Sequence, residues 1–235
     1  GSGSDTLTVT VNNVAPTVDA GSDATINEGG TFTGGGSFTD PGADSWTATV
    51  NYGDGSGVQS LTLTGKTFSL SHPYADNGPY TVTVTVTDDD GGSGSDTLTV
   101  TVNNVLPTVN AGADATLNEG GTFTQSGSFT DPGADTWTAT VNYGDNSGTQ
   151  PLPLTGKTFS LSHPYADNGI FTVTVTVTDD DSGSGSDTLT VTVNNVAPTV
   201  DAGSDATINE GGTFTQSGSF TDPGADSWTA TVDYR

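Results

Sequence analysis

The sequence contains no cysteine and no methionine. Disulfide staples and thiol or thioether redox chemistry are therefore excluded, a composition that suits an exported protein exposed to air. Basic residues are almost as scarce: Lys and Arg together number 3 against 28 Asp and Glu, a formal net charge of -25. Such a polyanion is repelled by nucleic-acid phosphate and by an anionic membrane surface, so neither is an expected partner. No apolar run approaches the ~20 residues that a membrane-spanning helix needs, so no membrane insertion is expected. The chain opens at Gly1 without an initiator Met or a charged-then-apolar leader, so a processed chain or a segment of something longer is expected. No N-x-S/T acceptor for N-linked sugar occurs.

What is present is a strict alternation of Val or Leu with Thr, as at Val82, Val84, Val86 and again at Leu98, Val100, Val102. A period of two places one set of side chains on a buried sheet face, so the acidity does not signify disorder. The alternation recurs. Trp46, Trp137 and Trp228 are separated by steps of 91 residues, as are Pro16, Pro107 and Pro198, and Asp5, Asp96 and Asp187 at the head of DTLTVTVNNV. A unit of this size is one sandwich domain. Pro16 cannot continue a strand ladder and the Asn pair before it is turn-prone, so the joints fall at VNNVAPT. The expected organisation is a last strand of a preceding repeat at 1–13, whole repeats at 14–104 and 105–195, and the first strands of a partial repeat at 196–235.

Within one unit the strands are expected at 17–26, 31–38, 46–52, 60–63, 67–71, 80–87 and 97–103, with Trp46, Ala48, Val50 and Tyr52 facing inward. Seven short strands with turns between them predict an all-β fold of tandem immunoglobulin-like, seven-stranded β-sandwiches in a linear rod. Asp76, Gly78 and Tyr80 directly before TVTVTVT form the D-x-G-x-Y pattern of a tyrosine corner. The second unit carries Asp167, Gly169 and Phe171 there, so it keeps the ring and drops the hydroxyl.

The segments WTATVNYGDGSG and HPYADNGPYTVTVTVTDDDGG resemble polycystic-kidney-disease (PKD) domains, through Asn51-Tyr52-Gly53-Asp54-Gly55 and His72-Pro73-Tyr74. In the second unit Asn146 replaces the last Gly of the first motif, and in the third Arg235 follows Tyr234 where Gly is expected. The resemblance implies a β-sandwich used on bacterial and archaeal surfaces as a spacer, adhesive module or filament component, often with bound calcium. It implies no chemistry.

With so few basic side chains, clustered carboxylates call for a divalent cation or a high-salt habitat. Sandwich topology sends the B–C and F–G loops to one pole and the A–B, C–C′ and E–F loops to the other. The expected calcium ligands at the first joint are Asp131, Asp135, Asp179 and Asp181 on one side. Glu28, Asp54 and Asp76 stand on the other, with Asn103 and Asn104 between. Asp40, Asp44, Asp88 and Asp90 with Asn12 and Asn13 form the corresponding set one repeat earlier. The arrangement is similar to that of cadherin repeats, although the Asn-rich linker lacks their intervening Asp. The opposing reading is that turns favour Asp and Asn whatever they bind, but three consecutive Asp at 88–90 repel unless a cation or solvent screens them.

His72 and His163 have no nucleophile or carboxylate pair beside them in sequence and are read as turn residues, so no enzyme is expected. Lys66 and Lys157 in TGKT are read as exposed hairpin residues rather than isopeptide donors. The expected function is an extracellular or cell-surface rod, stalk or filament that self-associates end to end. The alternative is an adhesin or a module binding a carbohydrate or protein ligand through multivalency, whose mark would be exposed aromatics.

Overall fold

The computed structural model describes residues 2–234 and is all-β. It divides into two compact units, Gly1–Val105 with Pro132–Asp135, and Leu106–Asp131 with Thr136–Arg235.

The first unit contains strands β1 (Thr17–Asp19), β2 (Ala24–Asn27), β3 (Thr31–Thr39), β4 (Trp46–Asn51), β5 (Val58–Leu61), β6 (Leu63–Thr64), β7 (Thr67–Pro73), β8 (Gly78–Asp88) and β9 (Ser93–Asn103). They form a four-stranded sheet in the order β1-β3-β7-β6 and a five-stranded sheet in the order β2-β9-β8-β4-β5. Nine strands stand where seven are expected because two of them divide. The first breaks at Gly21, whose φ of 97° favours glycine and where a Cβ would lie 2.5 Å from the Gly35 carbonyl oxygen. β1 therefore pairs antiparallel with β3 in one sheet, while β2 crosses to pair parallel with β9 in the other. The expected strand at 60–63 likewise divides between the two sheets as β5 and β6.

The alternation sets the core. Val82, Val84 and Val86 of β8 and Val100 of β9 are wholly buried, while the intervening Thr stay partly exposed. Ala48 and Val50 of β4 lie beside Val86 and Val84 on the same face of that sheet, Tyr52 just beyond β4 is buried with them, and Trp46 packs partly buried against Phe38, Ala48 and Val86. The corner is built as expected: the Tyr80 hydroxyl donates to the Asp76 carbonyl at 2.9 Å.

The second unit repeats this plan with β10 (Thr108–Asn110), β11 (Ala115–Asn118), β12 (Thr122–Thr130), β13 (Trp137–Asn142), β14 (Thr149–Pro151), β15 (Leu154–Thr155), β16 (Thr158–Pro164), β17 (Gly169–Asp179) and β18 (Ser184–Asn194). Their orders are β10-β12-β16-β15 and β11-β18-β17-β13-β14. Two departures in sequence are absorbed here. Phe171 keeps the corner by packing on Tyr165 at 4.5 Å. Asn146 adopts a φ of 68° where Gly55 has 86°, and Asn is among the side chains that enter this region at least cost. Beyond residue 195, the described residues add the pair β19 (Thr199–Asp201) and β20 (Ser219–Thr221).

Residues 2–13 join no strand, and Leu7, Val9 and Val11 are exposed. The identical DTLTVTVNN at 96–104 lies largely in β9, where Leu98, Val100 and Val102 are buried between two neighbouring strands. A strand of this pattern forms only where ladder partners and a core exist to receive it.

Candidate cation site

A turn after β11 supplies the central ligand. Gly120, at a φ of 73°, lets Asn118-Glu119-Gly120-Gly121 reverse tightly. The turn is fixed by Glu119 N–H to Asn194 O at 3.0 Å, Gly120 N–H to Tyr165 O at 2.8 Å and Tyr165 N–H to Gly121 O at 3.1 Å. These bonds hold Glu119 with only 2% of its surface exposed. Its Oε1 accepts the Val196 N–H at 2.6 Å, while its Oε2 is buried and meets no hydrogen-bond donor among the described residues.

The loop after β20 comes to meet it. Asp222 Oδ1 accepts the Gly224 N–H at 2.9 Å, Asp222 Oδ2 accepts Trp228 Nε1–H at 3.1 Å, and the Ala225 N–H donates to Ala166 O at 2.9 Å. The approach is close on both sides. A Cβ at Gly224 would fall 2.6 Å from the Glu119 carboxyl carbon, and one at Gly120 would fall 2.7 Å from the Pro223 carbonyl oxygen. Glu119, Asp222 and Asp226 thereby each offer a carboxylate oxygen, all within 4.8 Å of one another. Burial pushes the Asp226 carboxyl above its ordinary range, and the charges of Glu119, Asp222 and Asp167 push it further.

Three oxygens at this spacing match a hard cation, because ligand distances of about 2.3–2.6 Å put ligands up to roughly 5 Å apart around calcium. No nitrogen or sulfur ligand takes part, so the donor set does not favour zinc. The lysines are engaged elsewhere. Lys66 Nζ donates to the Asp40 carbonyl at 2.6 Å and lies 4.7 Å from the Trp46 ring centre, and Lys157 does the same with Asp131 and Trp137. Neither is the free hairpin residue that TGKT suggests: each braces an Asp-Trp pair by a hydrogen bond and a cation–π contact.

None of these three residues stands among the sequence-derived candidates, yet the 91-residue step relates Glu28 to Glu119, Asp40 and Asp131 to Asp222, and Asp44 and Asp135 to Asp226. The candidates themselves divide by role. Glu28 is buried, its Oε1 taking the Val105 N–H at 2.6 Å, and its own N–H meets the Asn103 carbonyl at 3.0 Å. Asp131 and Asp135 are buried, and Asp131 Oδ2 accepts the Trp137 indole at 3.2 Å. Asn104 is half-buried. Asp40 accepts the Gly42 N–H and the Trp46 indole, which hold its carboxyl below the ordinary range.

Others have structural work. Asp54 Oδ2 is hydrogen-bonded to His72 Nε2 at 2.7 Å, and Asp145 Oδ2 to His163 Nε2 at 2.6 Å. His72 is thus a strand residue stacked 4.1 Å from Tyr52, not a turn residue. Asp76 is exposed and caps Asn77 N–H. The run at 88–90 separates into different tasks: Asp88 closes its own turn by accepting Asp90 and Gly92 N–H and also takes the Asn13 amide, whereas Asp89 accepts Ser45 N–H. Asp89 and Asp90, but not Asp88, group with Asp44, the three offering oxygens within 4.8 Å of one another. Burial pushes Asp44 up, followed by the charges of Asp40 and Asp89. Asp179 accepts Gly183 N–H, Asp181 is exposed, and Asn12 is exposed.

A family model described as "PKD domain" matches residues 13–102 and 104–193. No curated protein matches the sequence. Among solved structures, the PKD domain of an M14-like peptidase from a Thermoplasmatales archaeon is 24% identical, covering 39% of this chain and 98% of its own, with a TM-score of 0.33. A titin I-band fragment, I67–I69, is 14% identical over 77% of this chain and 66% of its own, with a TM-score of 0.35.

Proposed function

Because the chain belongs to the family of PKD domains, whose members are usually extracellular and non-catalytic structural or binding modules, we propose that it serves as an extracellular structural array, a rod, stalk or filament whose joints are stiffened by calcium. One observation carries this reading: a carboxylate oxygen of Glu119 is buried without a donor and faces two further carboxylates. A buried anion left in that state costs several kcal/mol, and a divalent ion offsets the cost while tying the loop after β20 to the turn after β11. Repetition at a fixed step of 91 residues supports an array of like units that joins end to end.

The alternative, a multivalent adhesin for a carbohydrate or protein ligand, is less well supported. The large exposed aromatics, Phe214, Phe220, Trp228 and Tyr234, all fall in 196–235, whereas the two whole repeats keep their aromatic rings in or against the core. Thermal unfolding in chelator and then in millimolar calcium, at fixed ionic strength, tests the proposal. A large upward shift of the midpoint supports calcium-held joints, and an unchanged midpoint refutes them.

A further inference from the structure

The geometry points to a specific divalent-cation site made by Glu119, Asp222 and Asp226, with Glu119 Oε2 as a direct ligand and Trp228 as the residue that positions Asp222. The inference rests on the reading above and narrows it: of the many acidic residues in the chain, those that bind structurally are the buried turn carboxylate Glu119 and the D-P-G-A-D-x-W loop at 222–228 that meets it.

The two halves of the site are prepared differently. Glu119 is fixed before any ion arrives, because its turn is pinned at Asn194 and Tyr165 and its Oε1 is committed to Val196. What remains is one oriented, dry oxygen. Asp222 is fixed from the other side by the Gly224 N–H and the Trp228 indole N–H, each donating to a different carboxylate oxygen. Gly224 is required between them, since a side chain there would occupy the space of the Glu119 carboxylate. Neither half carries enough oxygens alone, so an ion held here bridges the loop to the turn and adds to the Ala225–Ala166 hydrogen bond between them.

The chemistry selects the ion. Three carboxylates with oxygens within 4.8 Å suit a hard trivalent or divalent cation that tolerates irregular coordination. Magnesium sheds water reluctantly and demands a smaller octahedron, so the buried Oε2 disfavours it.

Terbium is the probe, because an ion bound by Asp222 lies beside the Trp228 indole and its emission is sensitised by tryptophan excitation. The whole chain is titrated with terbium, the bound ions are counted by equilibrium dialysis with calcium, and Glu119→Gln, Asp226→Asn, Trp228→Phe and, at an exposed carboxylate outside every acidic cluster, Asp205→Asn are compared. Glu119→Gln keeps an acceptor for Val196, so the turn survives; an unchanged far-ultraviolet circular dichroism spectrum verifies it. The expected result is the loss of one tight calcium ion per chain in Glu119→Gln and Asp226→Asn. Trp228→Phe should bind calcium more weakly and lose its share of sensitised emission, and Asp205→Asn should leave the count unchanged. Calcium should displace the terbium where equimolar magnesium does not. An unchanged ion count in both Glu119→Gln and Asp226→Asn overturns the site. If those variants lose the ion while the wild-type midpoint is indifferent to calcium, the site stands and the stiffening role fails.

Discussion

Replacing Glu119 by Gln should change the sign of its effect on stability according to whether calcium is present. In chelator, the wild-type protein holds a buried carboxylate against two neighbours whose oxygens lie within 4.8 Å. At an effective dielectric near 20, unit charges at that separation repel by about 3 kcal/mol, reduced where one of them takes up a proton. The amide removes the charge, keeps the shape and keeps the acceptor that Val196 uses, so the variant should be more stable than wild type by about 1–2 kcal/mol. With calcium at about a hundred times its dissociation constant, binding adds about 2.7 kcal/mol to the wild type and nothing at this site in the variant. The order then reverses, leaving Glu119→Gln less stable by about 1 kcal/mol, or several degrees in midpoint for a domain of this size. Calorimetry in the two buffers at fixed ionic strength reads both numbers. A variant that is destabilised equally in chelator and in calcium would refute the reasoning, since it would make Glu119 a structural hydrogen-bond acceptor and nothing more.

Tyr165→Phe removes a buried phenol that donates to the Tyr143 carbonyl at 2.8 Å. It should lower the urea midpoint by an amount worth about 1–3 kcal/mol, with an unchanged slope. Burial, then the charge of Asp145, raises that phenol to about 12, so the native protein should show no tyrosinate at this position at pH 10.5 by ultraviolet difference spectroscopy. Burial raises the Asp54 and Asp145 carboxyls, but hydrogen bonds from Ser56 or Ser147 and from His72 or His163 outweigh it and hold both at about 2. A depressed carboxyl adds stability above its unfolded value and loses it as pH falls toward the folded one. About 1 kcal/mol per pair, after solvent screening, should therefore vanish between roughly pH 4 and 2, and Asp54→Asn should flatten that slope in chemical denaturation. Gly224→Ala should reduce calcium affinity at least tenfold, because its Cβ meets the Glu119 carboxyl, and titration calorimetry would detect it.

The sandwich was legible because its signal is periodic. Alternating Val and Thr fix which side chains of β8 and β9 face inward, and the 91-residue step shows that the plan repeats. The split of the first strand was not legible in the same way, because Gly21 marks a break without saying that the chain changes sheets there. The site was half legible. Loop poles predict which acidic loops share an end of a sandwich, yet they cannot tell a carboxylate already engaged by a neighbour from one that is not. Asp54 is taken by His72 eighteen residues away, and Asp88 by its own turn and Asn13. The step of 91 carries Glu28 to Glu119 and Asp44 to Asp226, so the missed residues had a signal in the repeat itself. What separates Glu119 from an ordinary turn acid is a buried oxygen that meets no donor among the described residues, a property of packing that no spacing encodes.

Small-angle X-ray scattering of the whole chain in calcium and in chelator, at one ionic strength, tests most directly whether the array is a calcium-stiffened rod. The account predicts a longer maximum dimension with a narrower distance distribution in calcium and a shorter, broader one in chelator. Superimposable curves, with calcium shown to be bound, would contradict it.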